Sequence, residues 1–345
     1  MTEQERRGSI VYFLGAGASK SIYSELPLAS DLTLDSLSSQ KSYGNQIPPT
    51  DDECRALTQF LDAHPDWASL RAERLEDVLE KLSLWHYELV LSFLYLRLSV
   101  ENHTCEPYSS FAQWLRVVRK RRDTIITTNY DTLIENALMH MPTGEYCFSI
   151  DALDRDALHW LDYGVRKSRV HKYSDGGQWL TPPEQSILLL KLHGSISWLF
   201  CEHCRTYLLD PVWQHAKEGT KLPGAYGPCV ECKQAGAARR TVIVPPLPKK
   251  EYTDAAIQEI WDRAKEVLGR AEEIIFAGFS LDKTDVGVRC LLQDAKDRGL
   301  TKRVTIVDRN PSGIEQNFRE IYNDIVSVAP ERDWKQFLEK SFPTK

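Results

Sequence analysis

Five short apolar runs mark this chain: Ile10–Leu14, Ile125–Thr128, Ile187–Leu192, Ile274–Ala277 and Arg303–Val307. Each is bounded by turn-forming or charged residues and predicts a buried strand. Between and after them the apolar residues recur at helical spacing. Leu133, Ala137 and Leu138 share one predicted helix face. Ile257, Ile260, Trp261, Ala264, Val267 and Leu268 share a second, with Asp254 placed to cap the helix. Val288, Leu291, Leu292 and Ala295 form a third face. Ile314, Phe318, Ile321, Tyr322 and Ile325 form a fourth, with Ser312 as its cap. Helix-forming residues also run from Ser30 to Leu37. Strands alternating with helices predict an α/β fold with a Rossmann-like parallel sheet and helices on both faces.

Two stretches break that rhythm. Ser38–Asp52 is polar and reads as a loop, and Arg55–Val100 carries Leu75, Val78, Leu79, Leu82, Leu89 and Phe93 at helical spacing with no alternation. The second predicts an all-helical insertion. Met141–Pro183 follows neither period and receives no assignment. No internal repeat or low-complexity tract is present.

At 345 residues the chain suits one large domain with insertions, or two domains. A net charge of -6 gives no overall attraction to nucleic acid or anionic membrane. The basic run Arg116, Arg119, Lys120, Arg121 and Arg122 fits a solvated helix end, where cations complement the dipole, so no direct nucleic-acid binding is expected. The apolar run Leu89–Val100 is too short to span a bilayer and carries Arg97. The first residues, MTEQERRGS, lack the apolar region of a signal peptide, which predicts a cytoplasmic location. Of eight cysteines, Cys54, Cys105, Cys147 and Cys290 are scattered and read as core or incidental positions. The other four form the pairs Cys201/Cys204 and Cys229/Cys232, the spacing of a tetrahedral structural zinc site.

Candidate chemistry sits where the predicted strands end. Gly15 and Gly17 follow the first strand. Such a turn lets backbone approach a pyrophosphate, and it equally serves as a tight strand-to-helix turn. Lys20 stands where a third glycine of the dinucleotide fingerprint is expected. Asn129 and Asp131 follow the second strand. Asn129 can orient a ribose hydroxyl or a water, and Asp131 can accept from a carboxamide; both also suit helix capping. His193, with Gly194 beside it, follows the third strand and can act as a general base or stabilise a cation.

In this order the segments resemble the sirtuin-like domain family. Gly15-Ala16-Gly17-Ala18-Ser19 is similar to the family's GAG(I/A)S turn. Thr127-Thr128-Asn129-Tyr130-Asp131 is similar to TQNxD, with Thr128 for Gln. Leu192-His193-Gly194 is similar to LHG, and Gly278-Phe279-Ser280-Leu281 to GTSL, while Asp308–Asn310 follows the strand near which the family holds the adenine ribose. The resemblance implies a discontinuous NAD-binding domain over 1–37 and 105–345, a helical insertion over 38–104 and a zinc module over 196–240. It implies Asn129 and His193 as catalytic residues. Gly15, Ala16, Gly17, Ser19, Thr128, Asp131, Gly278, Ser280, Asp308 and Asn310 would contact NAD, and Cys201, Cys204, Cys229 and Cys232 would bind zinc.

Two departures narrow the expectation. After the glycine turn deacylases carry GIPxFR, where this chain has Glu25-Leu26-Pro27-Leu28-Ala29-Ser30-Asp31, without Phe or Arg. After the zinc module they carry VVxFGE, where this chain has Thr241-Val242-Ile243-Val244-Pro245-Pro246. Prolines remove the N–H donors that strand addition to a peptide uses. The pattern resembles the NAD-hydrolysing branch found in bacterial antiphage systems. That implies NAD as substrate, nicotinamide and ADP-ribose as products, and control by homo-oligomerisation or by a defence partner such as an ATPase. A protein deacylase and a non-catalytic NAD- or ADP-ribose-binding module are the alternatives.

Overall fold

The structure, a computed structural model, describes residues 9–39, 41, 51–63, 71–75, 78, 90–91, 93–94, 97–98, 109–139, 161–166, 168–172, 178–180, 186–201, 203–209, 232–233, 239–243 and 255–343. Along the chain, β1 (Ile10–Leu14) passes through the glycine turn into α1 (Ala16–Ile22). Then come α2 (Leu34–Ser38), α3 (Asp51–Ala63), α4 (Ser109–Arg121), β2 (Thr124–Thr127) and α5 (Leu133–Met139). Next are β3 (Leu161–Asp162), β4 (Ser168–Lys172), β5 (Gln178–Leu180), β6 (Ile187–Lys191), β7 (Gly194–Cys201), β8 (Tyr207–Leu209) and β9 (Arg239–Ile243). The chain ends with α6 (Ala255–Leu268), β10 (Glu273–Ala277), α7 (Val286–Lys296), β11 (Arg303–Val307), α8 (Pro311–Tyr322), β12 (Val326–Val328) and α9 (Trp334–Ser341).

Seven strands form one parallel sheet in the order β12-β11-β10-β1-β2-β6-β3. All five residues of β1 are buried, as are all four of β2, as continuous apolar strands inside a covered sheet should be. From β1 the chain moves first towards β2 and β6 and later returns to build β10, β11 and β12 on the other side. The direction of winding therefore reverses between β1 and β10, and the carboxyl ends of those strands border a crevice. A smaller sheet, β5-β4-β8-β7-β9, pairs antiparallel except between β4 and β8.

The five predicted strands are present with their ends shifted by at most one residue in β2, β6 and β10. The unassigned stretch holds β3, β4 and β5; β7, β12 and α9 also lacked a sequence expectation. The helix expected to start from Ser312 instead has Asn310 as its N-cap, with Pro311 opening it. Asp254 lies outside the described residues. Among the described residues, no helix is long and apolar enough to cross a membrane.

Residues of the helical insertion join the main core. Leu57, Leu61, Leu75, Val78, Phe93 and Leu98 belong to the same buried cluster as β1. The amide of Leu75 donates to Leu32 O at 2.9 Å, and Arg97 donates to Glu25 O at 2.8 Å. The insertion is thus bonded to the segment that follows the glycine turn.

Candidate active site

A cleft of about 560 Å³ opens at the carboxyl ends of β1, β2, β6, β10 and β11. Ala16, Gly17, Thr128, Asn129, Asp131 and His193 line one part of it, and Gly278, Ser280, Asp308 and Asn310 line another. Gly15 and Ser19 do not line it; they stand directly behind Asn129. The Nδ2 of Asn129 donates to Gly15 O and to Ser19 Oγ, both at 2.9 Å. Both amide protons of Asn129 are therefore spent on holding the glycine turn, which leaves its Oδ1 as the second polar atom of the side chain.

The glycines have a packing reason besides any ligand. Gly17 N donates to Gly278 O at 3.0 Å, and Gly278 N donates to Val307 O at 2.9 Å, so the turns after β1, β10 and β11 are stitched together. A Cβ on Gly15 would lie 2.5 Å from Gly278 O, and one on Gly278 would lie 2.0 Å from Ala18 N. Gly278 also has a φ of +54°, a left-handed conformation that side chains disfavour. Two backbones meet here at a distance that no side chain permits.

The loop after β2 is braced from below. Thr127 Oγ1 donates to Leu14 O at 3.0 Å and accepts from Asn129 N at 3.0 Å. Asp131 Oδ1 accepts from Leu133 N at 3.0 Å, which opens α5, so the capping expectation and the position at the cleft hold together. Burial pushes the Asp131 carboxyl up from its usual range, while the Lys191 charge and the bonds from Leu133 and Ser19 pull the other way.

His193 sits in the two-residue turn between β6 and β7 and is 2% exposed. Its ring lies 6.2 Å from that of Tyr130 and 6.3 Å from that of Trp261. Trp261 Nε1 donates to Leu192 O at 2.8 Å, so α6 fixes the residue before the histidine. Gly194 has φ +78°, and a Cβ there would meet Val242 O at 2.1 Å, which ties the turn to β9.

On the far side, Asp308 Oδ1 accepts from Asn310 N at 2.8 Å and Asn310 Oδ1 accepts from Ser312 Oγ at 3.3 Å. The cleft has further lining residues, of which Arg74, Leu98 and Trp334 were not singled out in the sequence. Lys20, at the missing third glycine, pairs with Asp31 at 2.8 Å. Pro27–Ser30 forms a wall where deacylases carry their Phe and Arg, and Arg74 and Leu98 reach the cleft from the insertion. Trp334 comes from α9. No periodicity signals that Arg74 or Trp334 faces a cleft, since each is brought there by long-range packing.

Cys201 ends β7, and its sulfur lies 3.9 Å from that of Cys232; with Cys204 the three sulfurs lie within 4.8 Å of one another. A tetrahedral zinc with Zn–S near 2.3 Å separates its sulfurs by about 3.8 Å, so this donor set fits such an ion. Arg205 and Lys233, which follow Cys204 and Cys232, have positive φ values of 57° and 51°. Cys229 lies outside the described residues.

An open parallel sheet, with a glycine-lined crevice where its winding reverses and polar residues at the strand ends, defines a nucleotide-binding α/β protein. The SIR2-like domain model matches residues 123–326, well over half of the chain, and the protein belongs to that family. The match includes Asn129, Asp131, His193, the four cysteines, Gly278 and Asp308; β1, its glycine turn and the insertion precede it. Similar solved structures include Sir2Tm bound to a propionylated peptide, with 15% identity and a TM-score of 0.43 over 98% of this chain and 93% of that one. A Sir2 homologue variant in complex with ADP-ribose has 15% identity and a TM-score of 0.45 over 99% and 94%. A Sir2 homologue in complex with NAD has 16% identity and a TM-score of 0.42 over 98% and 92%. No curated protein matches the chain.

Proposed function

We propose that this SIR2-like protein is an NAD hydrolase that cleaves the nicotinamide–ribose bond. The observation that carries the reading is the single cleft lined by Gly17, Asn129, His193, Gly278 and Asp308, segments far apart in sequence. The pyrophosphate would lie over the Ala16–Gly17 turn, the adenosine towards Gly278, Ser280, Asp308 and Asn310, and the nicotinamide ribose beside Asn129 and His193. The carboxamide would meet Asp131 and Thr128.

In the reaction the C1′–N bond breaks and its electron pair moves onto the pyridinium nitrogen, so nicotinamide leaves neutral. Positive charge develops on the ribose and is quenched by water, whose oxygen bonds to C1′ and whose proton passes to His193 or solvent. Asn129 Oδ1 orients the water or the ribose hydroxyls, and the buried imidazole of His193 assists as base or by electrostatics. Tyr130 and Trp261 flank His193 and limit its exposure to bulk water. The cysteine cluster would hold a structural zinc, since four thiolates leave no open coordination position.

The peptide-recognising segments of deacylases are replaced here, which favours water as the acceptor. With the resemblance to antiphage proteins, this supports an effector that depletes NAD and is held inactive until an assembly or partner releases it. The test is nicotinamide release from NAD by purified protein, with and without an acetyl-lysine peptide. Asn129→Ala and His193→Ala should each reduce it by at least about 10²-fold while melting within a few degrees of wild type. Peptide-dependent release with O-acetyl-ADP-ribose as main product would reassign the protein to the deacylases. A folded His193→Ala protein with undiminished release would remove the histidine from the mechanism.

A further inference from the structure

Lys191, the last residue of β6, is 1% exposed and plays no part in the chemistry above. Its Nζ is 2.9 Å from Glu135 Oε1, and it donates to the main-chain O of Asp131 at 2.5 Å and to Ser195 Oγ at 2.9 Å. An ammonium group has three protons, and these three acceptors match them. Glu135, on α5, is 0% exposed, and its Oε1 also accepts from Tyr163 OH at 3.2 Å.

Burying such a pair is a poor way to gain stability. Desolvation of two charges cancels much of their attraction, and apolar residues of equal volume would serve a core as well or better. The acceptors, however, lie on different segments. Asp131 belongs to the loop that carries Asn129. Ser195 lies two residues beyond His193, and Lys191 two before it, so the bond between them closes the turn around the histidine. Ser195 Oγ passes a bond on to Tyr130 O at 3.3 Å, and Ile196 N donates to the same carbonyl at 3.1 Å. Leu192 N donates to Thr127 O at 2.9 Å.

We propose that Lys191 is a positioning residue whose buried ammonium locks the Asn129–Asp131 loop to the His193 turn and so sets the geometry in which the two residues act. The locking is a property of the free protein; its consequence for catalysis rests on the NAD-hydrolase reading.

The experiment separates these two parts. Lys191→Met leaves the Glu135 carboxylate buried without its cation and should lower the melting temperature sharply. Lys191→Met/Glu135→Gln removes both charges, keeps an acceptor for Tyr163 OH, and should recover most of that loss. Hydrogen exchange without NAD is then compared with wild type. In the double variant the amides of Leu192 and Ile196 should lose about tenfold or more of their protection, while those of β10 and β11 keep theirs. Nicotinamide release should fall about 10–100-fold in kcat, with any rise in KM for NAD smaller than that fall, because the adenosine side is untouched.

A double variant with wild-type exchange at both amides overturns the lock. Deprotected amides with an undiminished kcat overturn its catalytic purpose. If the wild-type protein releases no nicotinamide, the hydrolase reading fails and exchange alone decides the lock. Should the double variant not fold, Ser195→Ala, which removes one anchor and no charge, carries the same exchange comparison.

Discussion

Asp123 lies just before β2, at the opposite end of the sheet from the cleft, and is 3% exposed. Its Oδ1 accepts from Ile10 N at 3.3 Å, and Arg121 Nε lies 3.2 Å from Oδ2. Burial outweighs that cation and raises the carboxyl from 3.8 to about 6. The folded protein thus holds this proton more tightly than the unfolded chain. Stability is then greatest, as far as this group decides it, below about pH 4, and falls by up to about 3 kcal/mol as pH rises to about 6. Asp123→Asn keeps an acceptor for Ile10 and removes the titration. Its stability, measured by denaturant melts between pH 4 and 6, should depend less on pH than that of wild type; parallel curves would contradict the assignment. At this scale the sequence was uneven. His193 and Asn129 stood out because each follows an apolar run and lies near a glycine or a helix start. The Lys191–Glu135 pair was silent, since the two are separated by 56 positions and each alone resembles an ordinary surface charge.

Elements were legible where burial is continuous. β1, β6 and β10 are apolar runs because helices cover both faces of the sheet, and their strand ends could be read to within a residue. β12 is only three residues long with an exposed serine at its centre, and β3 has two residues, so neither rises above the background of loop composition. β7 mixes Gly194, Ser195 and Ser197 with apolar residues, yet every position is buried, because it lies between β8 and β9 and receives bonds from the site loops. The cysteine-bearing segment shows the opposite balance. The spacing of its cysteines was the clearest signal in the sequence, whereas the smaller sheet beside it was not visible. Protein purified without chelator should carry about one zinc per chain, and Cys232→Ser should lower both metal content and melting temperature, because metal binding is folding free energy. Metal analysis by atomic emission checks the first part. A zinc-free protein with native stability would leave the cysteine cluster without its assigned role.

The helical insertion read from the sequence over 38–104 has described residues that pack into the main core. Leu57 and Leu61 of α3 are buried, as are Leu75, Val78, Phe93 and Leu98 beyond it. Arg71 pairs with Asp62 at 2.5 Å and lies 3.9 Å from Asp35, while Asp35 N donates to Arg71 O at 3.3 Å. These contacts fix the insertion on the segment that runs from the glycine turn through Pro27 to α2, and Arg74 and Leu98 then complete the cleft wall. The described residues of the insertion therefore pack as part of the main core, while Asp52, Arg55 and Gln59 lie on the exposed side of α3. Leu75→Ala should cost about 2–5 kcal/mol, as large-to-small changes in a packed core do. Replacing residues 42–104 with a short linker should expose Leu32, Leu34 and Leu37, now buried, and give aggregated or unfolded protein. Charge reversal at Asp52 should leave both the melting temperature and nicotinamide release unchanged. Circular dichroism melts and nicotinamide release on the three proteins decide the matter. A soluble excised protein that melts like wild type would return the insertion to the status of an appendage.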